Sequence, residues 1–218
     1  MNAPETQLRV HEVFYSLQGE SRSSGRPTVF IRLTGCPLRC RWCDTAYAFQ
    51  GGTLIELDAL IEQTAQYGTE WICLTGGEPL AQPLCRTFLE RLCSQFKHVS
   101  LETSGALSIA DIDARVSIVM DWKAPGSGES NRNRIGNLEL LQPKDQLKFV
   151  LSSKADFDWA CFEADRYHLF DRVSDVLVSP VWGELEPTDL AEWVLSSRRP
   201  WRMQLQLHKL LWNDTPGR

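Results

Sequence analysis

Three cysteines stand within eight residues of this 218-residue chain, in Cys36-Pro37-Leu38-Arg39-Cys40-Arg41-Trp42-Cys43. The spacing is C-x3-C-x2-C. Three thiolates on one loop can hold three irons of a cubane cluster and leave the fourth iron without a protein ligand. An open iron can chelate a small molecule and pass it an electron, so the spacing predicts chemistry as well as structure. The competing use is zinc, which takes four protein ligands in a closed tetrahedral site. No second C-x2-C occurs, and His11 and His98 could join a site only through folding. Disulfides do not fit an odd total of seven cysteines with no secretory signal ahead of them. Cys73, Cys85, Cys93 and Cys161 lie outside the motif and read as small core hydrophobes, with an auxiliary cluster as the lesser alternative.

The elements that must position this loop alternate between strand and helix. Arg9–Tyr15 and Val29–Leu33 are rich in β-branched and aromatic residues and read as strands, the second leading directly into the cysteine loop. Further strands are expected at Trp71–Thr75, Val99–Thr103, Val116–Met120, Gln146–Leu151 and Val176–Ser179, with a last one where Met203, Leu205 and Leu207 alternate with Gln204 and Gln206. Helical stripes run through Leu57, Leu60, Ile61 and Ala65, through Leu84 to Phe96, and across Phe157–Phe162 and Leu190–Leu195. Alternation of this kind implies a parallel sheet. With too few strands for a full eight-fold barrel, the expectation is an incomplete TIM-type barrel of about six parallel strands with helices outside, in one domain over residues 1–218. Chemistry then gathers at the C-terminal strand ends. Four motifs obey that rule: the cysteine loop, Thr75-Gly76-Gly77-Glu78-Pro79, Glu102-Thr103-Ser104-Gly105 and Asp121-Trp122-Lys123. The polar stretch 124–137 reads as a long loop, either a lid or plain surface.

Composition narrows the classes. Lys plus Arg is 23 against 28 Asp plus Glu, a formal charge of −5, which argues against bulk nucleic-acid binding. No apolar run approaches the ~20 residues needed to span a bilayer, and the polar segment Met1–Gln7 has no signal-peptide core. A cytoplasmic protein is expected, in a reducing compartment that suits an oxygen-labile cluster.

The cysteine triad after an early strand, Gly76-Gly77-Glu78-Pro79 after the next, and an aromatic Trp42 before the third cysteine together resemble the radical S-adenosylmethionine superfamily. That resemblance implies a [4Fe-4S] cluster on Cys36, Cys40 and Cys43, whose open iron chelates S-adenosylmethionine and cleaves it reductively to a 5′-deoxyadenosyl radical. Gly77 would let the backbone approach the methionine amino group, with Glu78 accepting from that amine or from the backbone. Trp42, Asp44, Glu102, Ser104, Asp121, Lys123, Ser179 and Pro180 are the remaining candidate cofactor contacts.

A second set of motifs is more discriminating. Phe14-Tyr15-Ser16-Leu17-Gln18-Gly19-Glu20, Phe30-Ile31-Arg32-Leu33-Thr34-Gly35-Cys36, Cys43-Asp44-Thr45 and Gln206-Leu207-His208-Lys209 resemble the 7-carboxy-7-deazaguanine synthases of queuosine and deazapurine biosynthesis. The resemblance implies 6-carboxy-5,6,7,8-tetrahydropterin as substrate, held by Leu17, Gln18, Gly19, Thr75, His208 and Pro216, with Arg32 as a fork for the carboxylate. It also implies magnesium on Thr45, a flavodoxin-like or ferredoxin-like reductant, and a homodimer. The alternatives are a glycyl-radical-enzyme activating enzyme, which Gln18, Arg32 and Thr45 together oppose, and a non-catalytic metal-binding module. Arg22 and Arg26 remain open as substrate or partner contacts.

Overall fold

The computed structural model describes residues 6–213, 215 and 217. Its elements, in chain order, are β1 (Gln7–Leu17), β2 (Pro27–Leu33), β3 (Thr53–Glu56), α1 (Leu57–Ala65), β4 (Trp71–Gly76), α2 (Cys85–Gln95), β5 (His98–Thr103), β6 (Ser117–Asp121), β7 (Gln146–Leu151), α3 (Lys154–Arg166), α4 (Leu169–Arg172), β8 (Asp175–Pro180), α5 (Pro187–Ser197), β9 (Arg202–Met203) and α6 (Leu207–Trp212). Among the described residues the strands form one sheet in the order β3-β1-β2-β4-β5-β6-β7-β8-β9, ending at β3 on one side and β9 on the other. Strands β2 and β4–β8 run parallel and β9 continues them for two residues, while β1 pairs antiparallel with both β2 and β3. This is the incomplete barrel that the alternation predicts.

Side chains alternate across a strand, so one face meets the helices and the other the interior. Val29, Ile31 and Leu33 of β2 and Ile72 and Leu74 of β4 pack in the core with Leu57 and Leu60 of α1 and Phe88, Leu89 and Leu92 of α2. Their neighbours Phe30, Arg32, Thr75 and Gly76 face a cavity instead. The helices therefore use apolar burial to hold a sheet whose other face is free for polar chemistry.

Three local expectations change. The edge strand β3 had no sequence signal, being four residues with no alternating pattern. The expected last strand stops at Met203: Leu205 is exposed and Leu207 opens α6. Gln204 and Gln206 are the inward residues there, with Gln204 Oε1 accepting from Ser21 N at 2.8 Å and Gln206 Nε2 donating to Glu20 Oε1 at 2.8 Å. The stretch 124–137 folds into three single 3-10 turns and ties to the cysteine loop through Arg41 N donating to Ser127 O at 3.0 Å. No helix among the described residues is long and apolar enough to cross a membrane.

Candidate active site

The C-terminal strand ends, the β1–β2 hairpin and the start of α6 surround a cavity of about 530 Å³. Of the residues singled out in the sequence, Leu17, Gln18, Gly19, Arg32, Cys36, Cys40, Trp42, Cys43, Asp44, Thr45, Thr75, Gly77, Glu102, Ser104, Asp121, Lys123 and His208 all line it. They come from sites up to 191 positions apart (208 − 17), which only the fold brings together.

The cysteine loop leaves β2 at Thr34 and is held by backbone hydrogen bonds, by its tie to Ser127 and by the side chain of Arg39. Gly35 N donates to Ala48 O at 2.9 Å and Cys43 N to Cys40 O at 3.2 Å. Arg39 Nη1 donates to Cys36 O at 2.8 Å and Leu38 O at 2.6 Å, while its guanidinium lies 4.2 Å from the Phe49 ring centroid. Gly77 packs directly beneath: a Cβ there would stand 2.4 Å from Gly35 O and 2.7 Å from Cys36 Cβ. The glycine is thus needed by the cysteine loop itself. Burial pushes all three thiols up, and Lys123 pulls each of them back down. No three His, Cys, Asp or Glu side chains among the described residues gather around a single point as a cage for one ion. Cys36, Cys40 and Cys43 share one wall of the cavity, and three thiolates on one loop suit a multi-iron cluster, where each meets a different iron.

The hairpin side carries a second polar constellation. Arg32 Nε donates to Glu12 Oε1 at 2.7 Å, and Tyr47 Oη donates to the same oxygen at 2.8 Å. Burial, with Glu12 reinforcing it, pushes the Tyr47 hydroxyl up to about 12, so it remains a donor at neutral pH. Burial works against the Arg32 charge, but Tyr47 and Glu12 outweigh it and raise its pKa further. Phe14 and Phe30 stack 4.9 Å apart with planes 9° off parallel, and both line the cavity. At the floor, Glu102 accepts from Gln18 Nε2 at 3.1 Å and from Thr75 Oγ1 at 3.1 Å, which joins the residues assigned to substrate with one assigned to cofactor. Thr45 Oγ1 donates to Asp44 Oδ1 at 2.9 Å, which leaves the hydroxyl lone pairs unspent.

On the opposite side, charges neutralise one another. Lys148 Nζ bonds Glu20 Oε2 closely and lies 3.4 Å from Asp121 Oδ1, and Lys123 Nζ bonds Asp121 Oδ2 at 3.0 Å. Burial alone would lower the Lys148 pKa, but Asp121 and Glu20 outweigh it and hold it well above the usual lysine value. The same cations hold Asp121 below the usual carboxylate range against burial. Glu20, Lys148 and Tyr47 line the cavity, and Glu12 backs it; the sequence had not singled these four out. Glu20 belongs to the Leu-Gln-Gly-Glu motif and was the one with a signal. Lys148 sits inside an apolar strand, and only its inward register marks it.

Three candidate cofactor contacts, Glu78, Ser179 and Pro180, do not line the cavity. Glu78 is fully buried and its carboxylate is used internally: it accepts from Leu80 N at 3.0 Å, Thr103 Oγ1 at 2.9 Å, Ser104 N at 2.7 Å and Ser104 Oγ. It caps backbone, the second of the two uses expected of it. Ser179 and Pro180 are buried at the end of β8, and the next residues, Val181 and Trp182, face the cavity instead. His208 packs on Gly19, where a Cβ would come within 2.0 Å of its Nδ1, and Leu207 N donates to Gly19 O at 3.0 Å. Pro216 lies outside the described residues. Arg22 pairs with Asp175 at 3.3 Å and Arg26 lies over Trp71, 5.3 Å from its ring, so neither lines the cavity.

Open-cluster thiols on a strand-end loop of an incomplete parallel barrel define the class. The family model of the radical SAM superfamily matches residues 30–117, the stretch that contains the cysteine loop and Gly76-Gly77-Glu78-Pro79. A 7-carboxy-7-deazaguanine synthase from Chlorobaculum tepidum is 42% identical over 212 residues, covering 96% of this chain and 96% of that protein. One from Koribacter versatilis is 37% identical over 225 residues, covering 96% and 100%. The crystal structure of QueE from Escherichia coli superposes with a TM-score of 0.75 at 22% identity, covering 94% of this chain and 96% of that one, and it shows the shared fold. The chain belongs to the 7-carboxy-7-deazaguanine synthase family within the radical SAM superfamily. It is therefore a radical SAM enzyme using a [4Fe-4S] cluster and S-adenosylmethionine, and the activating-enzyme and non-catalytic readings fall away.

Proposed function

We propose that this chain converts 6-carboxy-5,6,7,8-tetrahydropterin to 7-carboxy-7-deazaguanine with loss of ammonia, and that residues 1–218 act as one catalytic unit. The observation that supports it most is the convergence of Gln18, Arg32, Thr75 and Glu102 on the cavity that the three cluster cysteines line. When bound, the cluster and S-adenosylmethionine supply one-electron cleavage and a hydrogen-abstracting radical. The protein's share is to bind, orient and shield.

Cys36, Cys40 and Cys43 would hold the cluster. Trp42, Asp44, Gly77, Glu102, Ser104, Asp121 and Lys123 are proposed around S-adenosylmethionine, with Glu78, Ser179 and Pro180 acting from behind the wall. Leu17, Gln18, Gly19, Thr75 and His208 are proposed around the pterin, whose fused ring suits the flat faces of Phe14 and Phe30. Arg32 would take the carboxylate. Arg32 already faces Glu12, so an arriving carboxylate meets a neutral pair and gains from a second cation. Magnesium on Thr45 would supply it: a single protein oxygen is enough where substrate and waters complete an octahedron. A homodimer and a flavodoxin-like or ferredoxin-like electron donor complete the proposal.

The test is anaerobic reconstitution of the cluster followed by reductant, S-adenosylmethionine, magnesium and the carboxylated tetrahydropterin. Formation of the deazaguanine supports the reading, and no product from a protein with an intact cluster contradicts it. In Thr45→Ala, magnesium stimulation should shrink while S-adenosylmethionine still binds. Undiminished stimulation would remove Thr45 from the metal site.

A further inference from the structure

The β1–β2 hairpin contains an irregularity beside the cavity. Val10 pairs with Leu33 but Glu12 pairs with Arg32, so the register shifts and His11 is the extra residue. Without the bulge, Val10 opposite Leu33 would bring His11 opposite Arg32 and leave Glu12 opposite Ile31. A bulge next to an active site re-aims a side chain. Here it sets Glu12 directly across from Arg32 on one face of the hairpin, next to the stacked pair Phe14 and Phe30.

The consequence is one-sided use of a guanidinium. Glu12 takes the Nε–H at 2.7 Å, and Tyr47 fixes the same carboxylate oxygen from the far side at 2.8 Å. The rings of Phe14 and Tyr47 lie 5.7 Å and 5.9 Å from the guanidinium carbon. Among the described residues no hydrogen bond is made by Nη1 or Nη2, the two nitrogens that form the bidentate fork for a carboxylate. Arg32 lines the cavity with its side chain 15% exposed.

We infer that Glu12 and Tyr47 are positioning residues that lock Arg32 by its Nε edge and turn its Nη edge to the carboxylate of the substrate. They make the site selective for carboxylated ligands. The inference rests on the reading of Arg32 as the carboxylate fork. Glu12 does not line the cavity and acts through Arg32, and Tyr47, at the cavity wall, acts by holding Glu12.

The experiment titrates two ligands onto the reconstituted protein with S-adenosylmethionine present: the carboxylated tetrahydropterin and the same tetrahydropterin without its carboxylate. Tryptophan fluorescence reads both affinities. Glu12→Gln should weaken the carboxylated ligand about 10- to 100-fold, the effect of a misoriented clamp, and leave the other within about twofold. Tyr47→Phe should act in the same direction by less, and in turnover KM should rise more than kcat falls. Equal weakening of both ligands, or of neither, overturns the inference. Cluster absorbance and circular dichroism confirm folding, and if Glu12→Gln does not fold, the two-ligand ratio in Tyr47→Phe decides. If the unaltered protein binds both ligands equally, the carboxylate reading of Arg32 fails first, and the roles of Glu12 and Tyr47 fall with it.

Discussion

The two sides of the cavity treat charge differently. On the hairpin side, Glu12, itself held by Tyr47, occupies one edge of Arg32 and leaves the other edge facing the space. On the far side, Glu20, Lys148, Asp121 and Lys123 pair chiefly with one another, with Asp121 Oδ1 left an ion contact at 3.4 Å and no hydrogen bond among the described residues. The first arrangement keeps hydrogen-bonding capacity for a ligand. The second spends most of its charge on holding the hairpin, β6 and β7 together, and through Gln206 it also fastens the segment before α6, which leaves only Asp121 and Lys123 for the proposed contacts to S-adenosylmethionine. A charged group that lines a cavity is thus not by that fact a ligand contact; what matters is how much of its hydrogen-bonding surface is left.

The contrast can be broken or sharpened by substitution. The largest effect is expected at the cluster: Cys36→Ala should abolish the reconstituted cluster's visible absorbance and with it all turnover, since two thiolates cannot hold the site. Lys148→Met comes next. It leaves Glu20 and Asp121 facing each other without their shared cation, and breaking a buried pair costs about 3–5 kcal/mol. At this chain length that lowers Tm by roughly 10 °C in a thermal melt. An unchanged Tm would mean that the far side is not a structural framework.

The same cluster predicts a pH window. Lys148 is raised in the folded state, so its contribution is full below the unfolded lysine value of about 10.4 and is lost only as pH climbs through the higher folded value. Asp121 is lowered, so its contribution is full above about 3.9 and is lost as pH falls through the lower folded value. Stability from this network should be flat between those limits, and the Lys148→Met protein should lose the share of the alkaline dependence that Lys148 carries and keep that of Lys123, which Asp121 also raises against burial. Gly77→Ala should cost about 1–3 kcal/mol through its clash with Gly35 and Cys36, and it should slow cluster loading more than it lowers Tm. The smallest effect is expected at Arg41→Ala. Its bidentate pair with Glu184, at 3.0 and 2.7 Å, has side chains 53% and 39% exposed and is worth about 0–1 kcal/mol.

Much of this was legible in the chain because local pattern and global fold agree. The strands β4, β5, β7 and β8 are short apolar runs bounded by helix signals, and the cluster cysteines, Gln18, Arg32 and Thr45 sit in local motifs. The failures have a shared physical cause. Leu205 and Leu207 alternate as a strand would, yet long-range bonds from Gln204 to Ser21 and from Gln206 to Glu20 reversed which residues face inward. Glu20 and Lys148 meet across 128 residues, a pairing that no window of sequence contains. The Glu12–Arg32 pair depends on a one-residue bulge, which periodicity does not register. For Glu78 the sequence left a ligand amine and the backbone both open, and the bonds its carboxylate makes at the turn and at the end of β5 depend on Ser104, 26 residues away.

The central claim is that the cysteine loop and the hairpin form two walls of one reaction chamber, with Arg32 as the anchor for the substrate carboxylate. An anaerobic crystal structure of the reconstituted protein with S-adenosylmethionine and the carboxylated tetrahydropterin tests it most directly. The account predicts the carboxylate on Arg32 Nη1 and Nη2 at about 2.7–2.9 Å, with the Glu12–Nε bond unbroken. A carboxylate seated instead against Lys148 or Lys123, with the Nη edge of Arg32 unused, would contradict it.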